Sequence, residues 1–446
     1  MKFLYRLIIL AALCLPIDVA CQKQPIPDEK EKEEEKTMPV EDLVVFYEAN
    51  PKVFASSAAL SAISERLPEI KKLGTTILWL MPINRLGSLK SVGSPYCVRD
   101  YKAVNPSYGT NEDLKSLVTK AHSMGMKVVM DWVANHTSWD NAWITEHPEW
   151  YTQENGVIIS PKGTNWADVA DLNYDNKDMR AAMTDAMIYW IKEIGIDGYR
   201  CDAVDYVPVD YWTEAIAAIR KTKSDAIMLA ESSDMKYFNA GFDYAYGWPY
   251  QNALKGLFGN GNIDAFYTKV NSEQASLPEG KHLMRFITNH DQASENAPSS
   301  VYGSVSASIA AHVITSFIGE YPLIYSSQEI GYSKPLNFFN VNVMDWDSNK
   351  SVTESYQKIM AAALESNGAR YGKPVLSTIG KCVCIWWKNG PKGLLVLVNT
   401  SNTTLTAKIP MERAGEKMKD LLTGEETSVP SVVEIGPYQY KIWYKQ

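Results

Sequence analysis

The feature that most constrains this chain is a regular alternation of short apolar runs with longer helical patterns. From about residue 42 onward, plausible amphipathic helices separate most of the runs. The runs are LVVFYEA (43–49), TTILWLMPI (75–83), KVVMDWVANH (127–136), DGYRCDAV (197–204), AIMLAES (226–232), FDYAYGW (242–248), HLMRFITNHD (282–291) and PLIYSSQEI (322–330). Near-continuous hydrophobicity is typical of parallel strands that are buried on both faces. The pattern therefore predicts an α/β fold, a closed (β/α)8 TIM barrel.

Two stretches depart from this alternation. Residues 137–176, after the third strand, lack strong helical periodicity and are longer than a usual βα loop, which predicts a short inserted lobe. Residues 369–446 contain alternating strands separated by Gly, Asn and Pro turns, which predicts a C-terminal antiparallel β-sandwich domain. The barrel is therefore assigned to residues 41–136 and 177–368.

The N-terminus has the pattern of an export signal. Residues 1–21, MKFLYRLIILAALCLPIDVAC, place two basic residues before an apolar run that is too short to predict a membrane-spanning helix. Residues 22–40 are rich in Pro and charge, so they predict a disordered acidic tether. The arrangement resembles a bacterial lipoprotein signal with a lipid anchor at Cys21. It predicts an exported protein that is anchored to a bacterial membrane, either at the outer surface or at the periplasmic face. The alternative is a protein that is cleaved after the signal and released, either secreted or periplasmic.

Charge and cysteine content exclude several classes of function. The formal net charge is −8, and no basic block lies outside the extreme N-terminus, so no nucleic-acid partner is expected. The cysteines that remain after the signal do not form CxxC pairs, so neither a zinc site nor a disulfide scaffold is predicted. They are Cys97, Cys201, Cys382 and Cys384.

Charged side chains occur where several of the predicted strands end. In enzymes with such a barrel, the active site lies at the C-terminal ends of the strands. Clustered carboxylates repel each other, and a buried ion pair is weak evidence for stability. A single acid at such a position is most simply structural, whereas the whole set indicates a catalytic site. The set is Asp131, Asn135, His136, Arg200, Asp202, Glu231, His290 and Asp291.

These residue types suit glycoside hydrolysis with retention of configuration. That reaction needs an ionised carboxylate as nucleophile and a protonated one, about 5–5.5 Å away, as general acid and then base. Arg200 shares a strand face with Asp202 and favours the charged form expected of a nucleophile. Glu231 has no adjacent cation in the sequence, which predicts a raised pKa and a proton to donate. Asp291 would stabilise positive charge on the sugar in the transition state.

Several motifs occur along the chain in a characteristic order. They are SPYCVRDYKAVNPSYGT (94–110), DWVANH (131–136), ADLN (170–173), GYRCDAVDYV (198–207), LAES (229–232), FITNHD (286–291) and PLIYSSQEIG (322–331). Together they resemble the motifs of the α-amylase family, glycoside hydrolase family 13, over about residues 42–446. The resemblance implies that the inserted lobe is domain B of that family. It also implies chemistry without a cofactor.

Carried to this sequence, the resemblance implies a role for each catalytic residue. Asp202 would be the nucleophile, Glu231 the acid/base and Asp291 the transition-state stabiliser. Arg200 would orient the nucleophile, and Asp131 would support the site through that arginine.

The resemblance also implies residues that hold the sugar. Tyr96 would stack under the sugar ring, while His136 and His290 would bind its hydroxyls. Asn135 matches a position that ligates calcium in many members, which predicts a structural calcium ion. Many members have Lys-His where this chain has Asp205-Tyr206, and this departure puts both the calcium and the specificity in question.

The function predicted from these residues is hydrolysis of α-1,4-glucosidic bonds in starch-type glucans or maltooligosaccharides through a covalent glycosyl-enzyme intermediate. Neopullulanase or maltogenic amylase, α-glucosidase and transglycosylating enzymes use the same catalytic residues and remain alternatives, as does action on sucrose or trehalose. An inactive glycan-binding homologue is expected to lack at least one catalytic carboxylate, and none is lacking here. The sequence does not predict an oligomeric state.

Overall fold

A closed barrel of parallel strands forms the centre of the protein. The computed structural model describes residues 36–446, so the predicted signal, Cys21 and most of the acidic tether lie outside the described residues. The barrel strands, each paired with its neighbours in chain order, are β1 (Phe46–Ala49), β2 (Ile77–Leu80), β3 (Lys127–Trp132), β4 (Gly198–Cys201), β5 (Ile227–Ala230), β6 (Tyr244–Tyr246), β7 (His282–Arg285) and β8 (Tyr321–Tyr325). The predicted TIM barrel is confirmed.

Helices connect the strands and cover the barrel. The long ones are α1 (Ala59–Lys72), α2 (Asn111–Ser123), α3 (Lys177–Tyr189), α4 (Val209–Thr222), α5 (Trp248–Asn260), α6 (Ile263–Ser276), α7 (Val305–Phe317) and α8 (Lys350–Glu365). Shorter helical segments are Pro51–Phe54, Trp143–Glu146, Pro148–Trp150, Trp190–Ile194, Val204–Tyr206, Lys236–Asn239, His290–Glu295, Pro298–Tyr302, Gln328–Ile330 and Asn367–Ala369. Within residues 36–446, no helix is long and apolar enough to cross a membrane.

Local sequence explains where several of these helices begin. At α2, Thr110 accepts a hydrogen bond from the backbone of Asp113, and the Asp113 carboxylate accepts one from the backbone of Thr110. This reciprocal capping satisfies backbone N–H groups that the first helical turn leaves free. At α3, the Asn176 side chain accepts from two backbone N–H groups of the first turn.

A glycine brings the two central catalytic strands into close contact. Gly198, the first residue of β4, has φ +152°, and a Cβ atom at this position would lie 1.9 Å from the carbonyl oxygen of Ile227 on β5. Only glycine avoids that clash. β4 and β5 are therefore tightly paired, which places the residues at their C-terminal ends side by side.

The insertion after β3 is a small lobe on the C-terminal side of the barrel. Its strand His136–Ser138 pairs with Val169–Asp171, and Gln153–Glu154 forms a hairpin with Val157–Ile158. Trp143 packs edge-on against Trp150 at 5.1 Å within the lobe. A further hairpin after β2 pairs Asn84–Leu86 with Val98–Val104.

The C-terminal domain is built from antiparallel strands. They are β9 (Val375–Ile379), β10 (Cys382–Asn389), β11 (Lys392–Asn399), β12 (Leu405–Lys408), β13 (Lys417–Asp420), β14 (Glu426–Ser428), β15 (Val432–Ile435) and β16 (Tyr440–Lys445). A six-stranded sheet of order β9-β10-β11-β16-β13-β14 and the pair β12-β15 contribute to one apolar cluster. The domain binds the barrel at α7, where the indole N–H of Trp387 donates to the carbonyl of Phe317 at 2.8 Å.

Candidate active site

Arg200, on β4, is fully buried and determines the layout of the site. Its Nη1 donates to Asp131 Oδ1 at 2.7 Å and to Asp202 Oδ1 at 2.8 Å. Its Nη2 lies 2.9 Å from Glu231 Oε1, an ion pair without the alignment of a hydrogen bond. Its Nε donates to the Tyr246 hydroxyl at 3.0 Å. One guanidinium therefore holds carboxylates from the ends of three neighbouring strands, β3, β4 and β5.

The sequence-based expectation that Glu231 lacks an adjacent cation is wrong, because Arg200 reaches it from the neighbouring strand. Its pKa is nevertheless raised to about 8. Burial is the largest cause because it disfavours the charged carboxylate, and the negative charges of Asp202 and Asp291 act in the same direction against the opposing attraction of Arg200. Glu231 is therefore protonated at neutral pH, the state that a general acid requires.

A strained backbone segment links Asp202 to Glu231. Ala203, directly after the aspartate, has left-handed backbone angles of φ 44° and ψ 43°, which cost on the order of 1–3 kcal/mol for a residue other than glycine. Its N–H donates to Glu231 Oε2 at 2.6 Å. The strain is compatible with a site where the two carboxyl groups must be held in one arrangement.

His290 lies between two carboxylates at the end of β7. Its Nδ1 is 2.5 Å from Glu48 Oε1, and its Nε2 is 2.8 Å from the Tyr96 hydroxyl and 3.3 Å from Asp291 Oδ1. Burial alone would lower the pKa of this imidazole, but Asp291 and Glu48 raise it to about 9. His290 is therefore a cation at neutral pH, and both of its ring nitrogens donate hydrogen bonds.

Glu48 is a member of this site that sequence reasoning missed. It is fully buried on β1, and its second carboxylate oxygen has no hydrogen-bond partner among the described residues. The signal was present, because a glutamate at the end of the apolar run LVVFYEA follows the same rule that pointed to the other rim carboxylates.

Tyr96 forms one wall of the site. Its ring stacks on His290 with centroids 5.6 Å apart and planes at 27°, and its hydroxyl donates to Asp131 Oδ2 at 3.3 Å. Phe338, from the loop after β8, packs edge-on against both rings at 5.9 and 5.1 Å. The loops after β2 and β8 thus meet at the position predicted for sugar stacking.

His136 approaches the site from the end of β3. Burial lowers its pKa, so the ring is neutral at neutral pH. The Asn135 amide nitrogen lies 3.2 Å from Nδ1, and an amide that donates there leaves the proton on Nε2. Trp166 of the insertion lies 5.5 Å from this ring.

Calcium at Asn135 stays a prediction. Among residues 36–446, no three His, Cys, Asp or Glu side chains group as metal ligands. The Asn135 amide faces a histidine nitrogen rather than a carboxylate. The Asn135 amide oxygen is of the donor type that calcium prefers, and no step of the chemistry is assigned to a metal.

A cavity of about 220 Å³ opens at the centre of these side chains. All the predicted catalytic and sugar-binding residues line it except Arg200, which lies beneath. Sequence reasoning did not place the other lining residues, which come from the loops after β2, β4 and β8 and from the insertion. They are Val92, Ser94, Trp166, Asp168, Val169, Ala203, Phe338 and Phe339.

Comparison with known proteins identifies relatives of this arrangement. The family model described as "Alpha amylase, catalytic domain" matches residues 45–371. Alpha-amylase 3 of Dictyoglomus thermophilum is 28% identical over 367 residues, which are 73% of this chain and 72% of that relative. A cyclomaltodextrinase of Thermoanaerobacter pseudethanolicus is 25% identical over 371 residues, 77% of this chain and 63% of that relative.

A solved structure agrees over nearly the whole chain. The crystal structure of an alpha-amylase from Lactobacillus plantarum superposes with a TM-score of 0.81 at 28% identity, and the match covers 90% of this chain and 99% of that one. The family model itself spans the barrel and the insertion that carry the cavity. This chain therefore belongs to the α-amylase family of glycoside hydrolases and is a glycosidase.

Proposed function

We propose that this enzyme hydrolyses α-1,4-glucosidic bonds in starch-type glucans and maltooligosaccharides with retention of configuration. The observation that carries the proposal is the pair of carboxyl groups beside one guanidinium: Asp202 accepts a hydrogen bond from it, and Glu231, whose pKa is raised to about 8, lies 2.9 Å from its Nη2. Two carboxyl groups that share one arginine are close neighbours, as a retaining mechanism requires.

In the first step, Asp202 attacks the anomeric carbon while the bond from that carbon to the bridging oxygen breaks. Glu231 gives its proton to the leaving oxygen, so the departing chain leaves as a neutral alcohol. Arg200 holds Oδ1 of the nucleophile, which leaves the other oxygen for the attack. Asp291 stabilises the positive charge that develops on the sugar ring.

In the second step, the Glu231 carboxylate takes a proton from water. The resulting hydroxyl oxygen bonds to the anomeric carbon, and the ester bond to Asp202 breaks. Two inversions at one carbon give net retention. If a sugar hydroxyl replaces the water, the same step transfers the glycosyl group, so transglycosylation needs no further residue.

The sugar ring would be held by side chains of complementary type. Tyr96 provides an aromatic face, cationic His290 presents its Nε2–H beside the Tyr96 hydroxyl and Asp291, and neutral His136 donates through Nε2. An aromatic face with polar donors at its edge is typical of carbohydrate sites. Each of these groups lines the one cavity that also exposes the catalytic carboxylates.

The substrate class is supported by the relatives. One is named an alpha-amylase and another a cyclomaltodextrinase. The second name favours maltogenic or neopullulanase-type specificity as the alternative, and α-glucosidase action differs from both mainly in the loops. All three use the same catalytic residues.

The test is a substrate panel with soluble starch, pullulan and maltotriose, in which NMR reports the anomer first released. Asp202→Asn is the catalytic variant, and the control is Asp243→Asn, whose carboxylate binds Arg220 at 2.7 and 2.8 Å before β6. We expect α-anomer release from starch, abolished in the first variant and retained in the second. Activity confined to pullulan or maltotriose would move the substrate to the alternative, and no turnover by folded protein would contradict the proposal.

We further propose that Cys21 carries a lipid that anchors the enzyme to a bacterial membrane. The support is the apolar run before this residue and the charged tract after it. Expression with a labelled fatty acid should label the unmodified chain and not Cys21→Ser. Equal absence of label from both would favour cleavage and release.

A further inference from the structure

Lys52, in the short helix after β1, joins two loops of the active-site rim. Its Nζ donates to the carbonyl oxygen of Gly93 at 2.9 Å and to that of Phe339 at 2.8 Å. Gly93 belongs to the loop after β2 and Phe339 to the loop after β8. β1 lies between β2 and β8 in the closed barrel, so this lysine bridges the loops on either side of its own strand. Its backbone carbonyl also accepts from the N–H of Asn342 at 3.0 Å.

Burying a charged ammonium group at this position costs free energy. Lys52 is only 8% exposed, and burial lowers its pKa to about 8. No carboxylate within residues 36–446 forms an ion pair with it, so the two carbonyls are its compensation. A buried charge without an opposite charge is destabilising. A packing role alone would be served better by an apolar side chain, so the double hydrogen bond is the property to explain.

The two joined loops carry the wall of the cavity on the side of the bound sugar. Val92 and Tyr96 lie on the first loop, and Phe338 and Phe339 on the second, and all four line the cavity. The Phe338 ring contacts Tyr96 and His290, the residues assigned to the sugar ring. The lysine therefore fixes the position of the loops that form the sugar-holding wall.

The contacts of this wall indicate the side of the cleavage point on which it lies. Glu231 follows β5, which lies across the closed barrel from β1, where Lys52 is attached. The general acid faces the leaving group because it protonates the bridging oxygen. Phe338 instead contacts Tyr96 and His290, the residues assigned to the sugar whose bond is broken, so the bridged loops lie on the glycone side, toward the non-reducing end.

We propose that Lys52 is a positioning residue that closes the cavity on the non-reducing side, so that the enzyme binds a short glycone and releases short maltooligosaccharides. This inference rests on the proposed function and deepens it. Without the bridge, the loops after β2 and β8 separate, and longer glycones enter.

Lys52→Met in the full-length enzyme tests this, with Lys71→Met as the matched control. The Lys71 ammonium also binds two backbone carbonyls, those of Thr75 at 3.3 Å and Gly125 at 3.5 Å, but at the N-terminal end of the barrel. The readouts are the chain lengths of products from end-labelled maltoheptaose, kcat and KM for maltotriose, and the melting temperature.

The unmodified enzyme and Lys71→Met should release short glycone products. Lys52→Met should give longer ones, and its KM for maltotriose should rise about fivefold with kcat within about twofold, since preorganisation is lost and the chemistry is not. Phe338→Ala removes the ring that the bridged loop presents and should shift the products in the same direction. The Phe338→Ala variant therefore tests the inference even if Lys52→Met does not fold.

Unchanged products from both active variants would overturn the inference and leave the proposed function intact. Long glycone products from the unmodified enzyme would do the same. Absence of α-glucan turnover in the unmodified enzyme would overturn the proposed function, and this inference with it.

Discussion

The two ends of strand β4 carry aspartates in opposite electrostatic settings. At the N-terminal end, Asp197 accepts from the Val128 N–H at 2.8 Å and from the His122 ring at 2.6 Å, and two lysine ammonium groups lie 3.4 and 3.5 Å from it. At the C-terminal end, Asp202 shares Arg200 with two further carboxylates. At the N-terminal end, the Asp197 carboxylate has several basic partners. At the C-terminal end, the Arg200 guanidinium has several carboxyl partners.

This contrast separates the residues that stabilise the barrel from those that carry out the chemistry. A carboxylate with several basic partners cross-links the segments around it, as Asp197 does. Carboxyl groups that outnumber their cations repel each other, and burial raises the pKa of Glu231 to about 8 and that of Asp131 to about 7. The excess of acids at the C-terminal end weakens the fold locally and creates an unlike pair of catalytic carboxyl groups.

The largest expected effect comes from removing the shared arginine. Arg200→Met leaves three carboxyl groups without their common cation and should lower kcat/KM by about 10³-fold. Its free energy of unfolding should fall by roughly 3–5 kcal/mol, because buried charges are left unpaired.

The matched control for this comparison is Arg285→Met. Arg285 is equally buried but pairs with a single carboxylate, Glu273, at 3.1 Å, and also donates to the Gly319 carbonyl at 3.4 Å. It should lose a similar roughly 3–5 kcal/mol while kcat/KM of the folded enzyme stays within about twofold. Urea unfolding and steady-state kinetics measure both quantities. Equal losses of activity in the two variants would show that the acid cluster at the C-terminal end has no special role.

The next effect concerns the histidine at the C-terminal end. Glu48→Gln removes one of the two carboxylates that raise the pKa of His290, and the loss of a charge-assisted hydrogen bond of roughly 1.5 kcal/mol should lower kcat/KM about tenfold near pH 8. Glu329→Gln is the control, since this buried glutamate binds the Tyr47 hydroxyl at 2.6 Å instead. A tenfold loss in the control, or none in Glu48→Gln, would contradict the assignment.

A third effect is visible in the pH profile of the unmodified enzyme. Glu231 must be protonated to act as acid, and its pKa is raised to about 8. kcat/KM should therefore be maintained below that pH and fall as the pH rises through about 8. In Asp291→Asn, one of the repelling charges is gone, so the falling limb of the residual activity should move to lower pH. An unmoved limb would assign it to another group.

The smallest effect on activity is expected at the N-terminal end. Asp197→Asn removes the charge that its surrounding cations share and should reduce the free energy of unfolding by roughly 1–3 kcal/mol. Its kcat should stay within about twofold of the value for the unmodified enzyme, because the active site lies at the opposite end of β4. Denaturant unfolding and starch hydrolysis measure the two quantities. A large loss of kcat would mean that the two ends are coupled.

Local sequence patterns predicted the strands and the acids at their ends. In GYRCDAV, alternation placed Arg200 and Asp202 on one face, and the structure joins them at 2.8 Å. This works because strand periodicity depends only on neighbouring residues. The barrel followed from the same kind of information, since eight similar runs have few ways to pack.

Contacts between distant segments could not be predicted in this way. Glu48 meets His290 across 242 positions of sequence, and Arg200 meets Glu231 only because β4 and β5 are paired. Lys52 finds its partners in two loops whose positions depend on the closed barrel. A single sequence shows which residues are charged. Which charged residues come into contact depends on how the strands pair to close the barrel.

The most direct test of the account is to trap the covalent intermediate. A fluorinated α-glucosyl fluoride that reacts quickly in the first step and slowly in the second should add its glycosyl mass to the enzyme, and peptide mapping should locate it. We expect an ester on Asp202 in the unmodified enzyme and in Arg285→Met, with no label in Asp202→Asn. A label on Glu231 or Asp291 in a folded, active enzyme would contradict it.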